Sequence, residues 1–346
     1  MPTSTMVETL VPIWRRVLQL SSVGVDDNFF DVGGDSALAL ALFNEIAQVC
    51  GRELPPVMIY NAPTIAALAA VLDETATPRV PALVQLRAGS NPAVFITHGL
   101  GGSVMDFFQV VKNIQTPHAV YGMQAKGIDG VEEPFDRIED MARYSLEAVK
   151  QLQPRGPYLL VGYSLGGLVT LEMARQLTAE GEKVVLLAML DSYPEIRYLS
   201  FAQRTRLVTR LATRRATTAM SLPVGEAISL IVRPSRRRSL TPKVSYQPPP
   251  DVLLSPAMQR VRESSYLALI RYRPRFYPGK IRFVRAAIPS AFPADPAAVW
   301  AHLAGQFEVE TVPGDHLGIM TTHYKKLASV ISRYVDEAVA NPSSTS

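Results

Sequence analysis

The stretch LLVGYSLGGLVTLEMA, residues Leu159 to Ala174, decides the fold of the larger part of this chain. A short apolar run leads directly into G-Y-S-L-G, residues 162–166, and then into a segment with the apolar spacing of a helix. A G-x-S-x-G sequence between a strand and a helix is typical of a sharp turn that lifts a serine above the edge of a sheet. The helix N-terminus then directs positive partial charge at the serine. The pattern predicts that Ser164 is a nucleophile; a purely structural turn is the alternative.

The sequence around this motif alternates between strands and helices. Expected strands span 93–98, 119–122, 158–163, 184–191, 281–286 and 307–312, and expected helices span 137–152, 165–177 and 317–340. Short apolar strands separated by helices indicate a mostly parallel sheet covered on both faces. We call this part, residues 83–342, the body; the last residues, 343–346, are expected to be a disordered tail.

The alternation fails between Asp191 and Ile281, which predicts an inserted helical lid at about residues 194–278. The lid is rich in arginine, and these residues fit either solvated helix faces or contacts with an anionic group. They include Arg204, Arg206, Arg210, Arg214, Arg215 and Arg236 to Arg238.

A serine nucleophile needs a base, and the chain has five histidines. His316 lies in VPGDHLGIM, a loop between an expected strand and the last expected helix, which makes it the candidate base. The other histidines are interpreted as structural or surface residues: His98, His118, His302 and His323.

The candidate acid is Asp191, because it ends the strand VVLLAMLD at the sheet edge expected to carry Ser164. Asp295 and Asp315 remain alternatives. The chain order is then Ser, Asp, His, as in the hydrolases that carry this serine turn.

HGLGG, residues 98–102, follows an apolar strand, and its glycines let backbone N–H groups approach a ligand. We expect the N–H of Leu165 and one from Leu100 or Gly101 to form an oxyanion hole. His98 is expected to shape this loop without taking up a proton.

Residues 1–75, which we call the head, differ from the body. Helical patterns over 6–18, 35–50 and 64–72 predict a small all-α bundle, and TATPRVP indicates a linker at 76–82. The head is acidic and the remainder basic, although the whole chain carries a net charge of only +4.

The head carries a second glycine-flanked serine, Ser36, in DNFFDVGGDS. The head has no histidine, so Ser36 cannot be a triad nucleophile there. Its expected place in the first turn of a helix suits a hydroxyl that carries a phosphate, because helix N-termini bind anions. The alternative is that Asp35 or Ser36 only caps the helix.

DDNFFDVGGDS, with YNAPTIAALAAVL after it, resembles the peptidyl carrier domain of nonribosomal peptide synthetases. HGLGG, GYSLGG, LDS and GDH resemble, in order, the landmarks of the type I thioesterase domain that ends such assembly lines, or hybrid polyketide synthases. Ala37 departs from the leucine or isoleucine more common in carriers. The resemblance implies a four-helix carrier bundle followed by an α/β-hydrolase domain with a helical lid insertion.

The resemblance also implies that a phosphopantetheinyl transferase attaches 4′-phosphopantetheine to Ser36 and that upstream adenylation and condensation modules load it. The body would then release a thioester-bound peptidyl or acyl chain by hydrolysis or cyclisation. The chain contains no recognisable adenylation or condensation domain, so it fits a free-standing protein or the end of a longer synthetase. The alternatives to this function are an editing or general serine ester hydrolase and a catalytically silent docking module.

Several functional classes are not expected. No apolar run approaches the roughly 18 residues of a membrane helix, and no secretory signal is visible. Cys50 is the only cysteine, so no intramolecular disulfide can form and a cytoplasmic location is expected. We see no zinc-ligand spacing and no nucleic-acid-binding motif, so neither a metal nor a nucleic acid is expected.

Overall fold

A computed structural model describes residues 4–74, 79–195, 255–289 and 295–341. Most of the predicted lid, with the arginines between 204 and 238, lies outside the described residues, and so does the predicted tail. The boundaries predicted for head, linker, body, lid and tail stay predictions. No helix in the described ranges combines the length and the apolar character needed to cross a membrane.

The head is helical, as predicted. Its α-helices are α1 (Ser4–Leu18), α2 (Ser36–Cys50) and α3 (Ile65–Asp73), which enclose a buried core that includes Trp14 and Phe29. A bundle of four α-helices is not fully confirmed, because the remaining helical segment is a 3-10 turn over Pro56–Tyr60. Proline at the start of this segment has no N–H to donate, which suits a short helical turn after an extended residue.

The body is built on a seven-stranded sheet, which confirms the predicted α/β class. The strands are β1 (Leu83–Arg87), β2 (Ser90–Thr97), β3 (His118–Met123), β4 (Tyr158–Tyr163), β5 (Val184–Leu190), β6 (Tyr277–Ala286) and β7 (Ala304–Val312). Their order is β1-β3-β2-β4-β5-β6-β7, and every pairing is parallel except that of β1 with β3.

Helices cover both faces of this sheet. They are α4 (Phe108–Asn113), α5 (Ile138–Leu152), α6 (Leu165–Ala179), α7 (Pro256–Arg271), α8 (Ala297–Trp300), α9 (Gly318–Thr321) and α10 (Tyr324–Ala340), numbered over the described residues. Buried residues of α5, α6, α7 and α8 share one core, and those of α4, α9 and α10 share the other. Helix α7 falls inside the range predicted for the lid.

The sheet positions the candidate site because parallel strands end at a common edge. Strands β4 and β5 are buried at every position, as expected for strands at the centre of a two-sided sheet. Ser164 follows β4 and Asp191 follows β5, and these two strands are direct neighbours. The strand ends therefore bring two of the candidate residues to the same edge.

Candidate active site

Ser164 occupies the turn between β4 and α6 in a strained backbone conformation. Its φ of 55° and ψ of −118° lie where a side chain is rarely accommodated, and its N–H donates to the carbonyl of Leu190 at 2.9 Å. The residue precedes the first turn of α6, yet its hydroxyl does not cap that helix. The turn thus leaves Ser164 Oγ available for chemistry at the positive end of a buried helix.

His316 lies in the loop between β7 and α9, and its Nε2 is 3.1 Å from Ser164 Oγ. Two contacts with Tyr163 hold the histidine in place. The two rings stack with centroids 4.9 Å apart, and the Tyr163 hydroxyl donates to the His316 carbonyl at 2.8 Å. The side chain next to Ser164 in the motif thus orients His316.

Asp191 completes the arrangement with its Oδ2 at 2.7 Å from His316 Nδ1. Its other oxygen, Oδ1, accepts from the Ala286 N–H at 3.2 Å, and the residue is only 4% exposed. Because an ionised carboxylate can only accept, the proton of the neutral imidazole lies on Nδ1 and Nε2 is left to accept from Ser164. This is the tautomer that a general base for the serine requires.

The two alternative acids stabilise local turns instead. Asp295 accepts from the Ala297 N–H at 3.0 Å, and Asp315 accepts from the Gly318 N–H at 2.7 Å. Of the three candidate acids, Asp191 is the one hydrogen-bonded to His316.

The remaining histidines have other surroundings. His98 is buried, and its Nδ1 donates to the Gly99 carbonyl at 2.7 Å within its own loop. Burial lowers the pKa of His98 to about 4, so its imidazole is neutral at physiological pH. His302 is exposed and His323 precedes α10.

The loop predicted to form the oxyanion hole runs beside Ser164. Strand β2 pairs with β4 so that Thr97 lies opposite Gly162, and a Cβ added at Gly99 would lie 3.5 Å from the Ser164 Cβ. Leu165 begins α6, where the first N–H groups have no partner within the helix. Gly99 therefore lies beside Ser164, and the predicted donors, Leu165 and either Leu100 or Gly101, follow these two residues closely in the chain.

Sequence reasoning did not single out Tyr163 or Ser192. Ser192 Oγ donates to the Leu190 carbonyl at 3.2 Å, and the Ser192 carbonyl accepts from Trp300 Nε1 at 3.0 Å. A Cβ at Gly167 would approach Ser192 Oγ to 2.0 Å, so the second glycine of the GG pair permits close packing of α6 on this turn. Tyr163 could have been found as the motif residue next to Ser164, and Ser192 as the residue that follows Asp191 in LDS.

In the head, Ser36 is the first residue of α2 and is partly exposed. The adjacent Asp35 caps the helix, with its side chain accepting from the Leu38 N–H at 2.9 Å. The capping role is therefore filled by Asp35, and the Ser36 hydroxyl is left at a helix N-terminus that suits a phosphodiester. These residues fit a covalently attached phosphate-containing group.

Comparison with known proteins extends these observations. Residues 8–72 match the family model for the phosphopantetheine attachment site, and residues 92–236 match the model for the thioesterase domain. Among solved structures, a holo four-domain nonribosomal peptide synthetase bound to AMP and glycine has a TM-score of 0.58 at 22% identity, covering 96% of this chain and 26% of that chain. The type II thioesterase of the borrelidin biosynthetic cluster has a TM-score of 0.51 at 18% identity, covering 73% and 97%. Both likenesses show the fold.

Two curated relatives are similar in sequence. The chain is 40% identical to a dimodular nonribosomal peptide synthase of Bacillus subtilis over 56% of its own length and 8% of that protein. It is 36% identical to an indigoidine synthase of Dickeya dadantii over 57% of its own length and 13% of that protein. The chain thus spans a small part of the length of these relatives.

Fold, site and comparisons together define the body as a serine hydrolase of the α/β-hydrolase class. More narrowly, the chain consists of a carrier domain, matched over residues 8–72, followed by a thioesterase domain, matched over residues 92–236, and both relatives named above are peptide or indigoidine synthases to which it is similar. The cofactor of the carrier domain is 4′-phosphopantetheine.

Proposed function

We propose that this chain releases a peptidyl or acyl chain, delivered as a thioester on the head, through a covalent intermediate on Ser164 of the body. Ser36 is the attachment residue in this proposal, and Ser164, His316 and Asp191 carry the chemistry. When bound, 4′-phosphopantetheine supplies a flexible thiol that holds the acyl chain as a thioester. The head thus serves as the tether and the body as the catalyst.

In the first half of the reaction, His316 Nε2 takes the proton of Ser164 Oγ while that oxygen bonds to the thioester carbonyl carbon. The backbone N–H groups of Leu165 and of Leu100 or Gly101 donate to the developing oxyanion. Asp191 holds His316 in the required tautomer and stabilises the imidazolium. His316 then returns the proton to the leaving sulfur as the carbon–sulfur bond breaks, which leaves an ester on Ser164.

In the second half, His316 removes a proton from water or from a nucleophile within the acyl chain, and that nucleophile attacks the ester carbonyl. The carbon–oxygen bond to Ser164 breaks, and His316 returns the proton to Ser164 Oγ. Water releases an acid, and an internal nucleophile releases a ring.

One observation carries this proposal: His316 lies 3.1 Å from Ser164 Oγ and 2.7 Å from Asp191 in a chain that also holds a carrier domain. A silent docking module would not need these contacts. An unrelated ester hydrolase would not need the head. The proposed partners are upstream adenylation and condensation modules and a phosphopantetheinyl transferase, and the proposed location is the cytoplasm.

Intact-mass measurement after incubation with coenzyme A and a phosphopantetheinyl transferase tests the attachment site. We expect wild type to gain one phosphopantetheine and Ser36→Ala to gain none, while Ser22→Ala, a matched change elsewhere in the head, behaves as wild type. An equal mass gain in Ser36→Ala would refute the assignment.

A further inference from the structure

Two aromatic rings meet in the contact between head and body. Phe30 of the head stacks on Phe108 of the body with ring centroids 5.2 Å apart and an interplanar angle of 24°. Phe30 also packs against Tyr60 of the head at 4.9 Å. Phe108 is buried and Phe30 is partly exposed. The stacked pair therefore covers apolar ring surface of both the head and the body.

On the head side, Phe30 lies in the loop that leads to Ser36. The Gly34 N–H donates to the Phe29 carbonyl at 2.8 Å, and a Cβ added at Gly34 would lie only 2.3 Å from the Phe29 ring. This loop therefore folds tightly against the head core, and the position of Phe30 is linked to that of the attachment residue.

On the body side, Phe108 begins α4 directly after the 3-10 turn Val104–Phe107. That turn follows the loop 98–103, which passes beside Ser164. The neighbouring Phe107 makes an edge contact with Tyr163 at 6.3 Å, and Tyr163 in turn stacks on His316. The head is thus held close to the loops that surround the nucleophile.

The contact is apolar rather than ionic. The buried residues of the head and those of the adjoining body, including Val84, Val104 and Met105, form one continuous apolar cluster. Ion pairs between described residues join partners within 4–74 or within 79–341, and none of them links these two ranges. Among the described residues, this contact is therefore made by apolar side chains.

The geometry points to Phe30 and Phe108 as the centre of a hydrophobic docking surface, with which the body binds the head of its own chain. The body recognises the head through the aromatic ring of Phe30. A role of this docking surface in delivering the acyl chain rests on the proposed function. The contact between Phe30 and Phe108 does not depend on that function.

Amide hydrogen exchange of the full, unmodified chain, followed by mass spectrometry, tests the docking surface. We expect Phe108→Ala to accelerate exchange in the head segment 28–34, and Phe30→Ala to accelerate exchange in the body segment 104–113, each about tenfold. Phe276→Ala is the matched control, because that ring also belongs to the body and is 54% exposed. Unchanged exchange in 28–34 after Phe108→Ala would overturn the proposal, since a merely local disturbance would stay within the body.

Two further measurements test whether the contact between head and body is apolar. Phe108→Leu, which keeps an apolar side chain and is the safer variant for folding, is expected to accelerate exchange in 28–34 less than Phe108→Ala. Adding salt is expected to leave exchange in 28–34 unchanged, because an apolar contact is not screened. Acceleration by salt would contradict an apolar docking surface.

The kinetic consequence is measured as a ratio of two rates: acyl release from the loaded head, and hydrolysis of the same acyl group on a small free thiol. Phe108→Ala is expected to lower this ratio about tenfold. An equal loss in both rates would mean that Phe108 supports the body fold and not docking. If wild type cannot be loaded at Ser36, the proposed function fails, while the exchange experiment still decides the docking surface.

Discussion

Asp191 ends a fully buried strand, and both of its carboxylate oxygens accept hydrogen bonds. Asp191→Asn would keep the shape of the side chain but can place an amide N–H against His316 Nδ1. His316 would then carry its proton on Nε2, where it cannot accept from Ser164. We expect kcat/KM for a thioester to fall about 10³- to 10⁴-fold with the fold retained.

The control for this change is Asp315→Asn, in an exposed turn one residue from His316. Little change in kcat/KM is expected for the control. A similar loss in both variants would show that the acid had been assigned to the wrong carboxylate.

Tyr163 is expected to act on catalysis by positioning His316. Tyr163→Phe keeps the ring stacked on His316 and loses the hydrogen bond to the His316 carbonyl, so kcat should fall about 2- to 10-fold. Tyr163→Ala loses both contacts and should reduce kcat roughly 10- to 100-fold. Steady-state kinetics with a free thioester check this: an effect on KM alone would indicate that Tyr163 contacts the substrate.

Helix α6 is tied to the segment between α7 and β6 by one buried carboxylate. Glu172 is 2% exposed and accepts from Arg175 at 2.9 Å, from the Tyr272 hydroxyl at 3.1 Å and from Arg275 at 3.3 Å. Burial and the adjacent Glu172 hold the pKa of Tyr272 well above its usual value, so the hydroxyl remains a donor. This cluster fixes the segment between α7 and β6, at the end of the predicted lid, onto α6, the helix that follows Ser164.

Glu172→Gln is therefore expected to reduce the free energy of unfolding by about 2 to 4 kcal/mol, because two arginines lose a buried partner. The corresponding fall in Tm is about 5 to 10 °C. Glu180→Gln, at an exposed pair with Lys150, should change Tm by only a few degrees. Equal shifts in the two thermal melts would contradict an anchoring role for Glu172.

The elements that sequence could predict are those with a strong local pattern. β4 and β5 are continuous apolar runs and were predicted closely, whereas β1 is a short edge strand of mixed polarity and was not recognised. The helix predicted over 317–340 is divided into α9 and α10, with Thr322 and His323 between them. An interruption of a helix at such a position depends on how the neighbouring loop packs. The spacing of apolar residues in the sequence does not show this packing.

At the scale of the whole molecule, sequence identified the two parts of the chain but not their contact. Ser164 and Asp191 could be proposed from sequence because strand ends meet at one sheet edge. The stack of Phe30 on Phe108 joins segments far apart in the chain, and neither residue lies in a pattern that predicts its partner. The charge asymmetry of head and body does not identify this contact, which among the described residues is apolar.

The transfer from head to body is tested most directly by following the intact mass of an acyl-loaded chain over time. Wild type should lose the acyl group, and Ser164→Ala should retain it on Ser36. Ser90→Ala, a matched change at an exposed serine of the body, should lose it at the wild-type rate. Loss of the acyl group from Ser164→Ala as fast as from wild type would contradict the assignment of Ser164 as the nucleophile that receives the chain from the head.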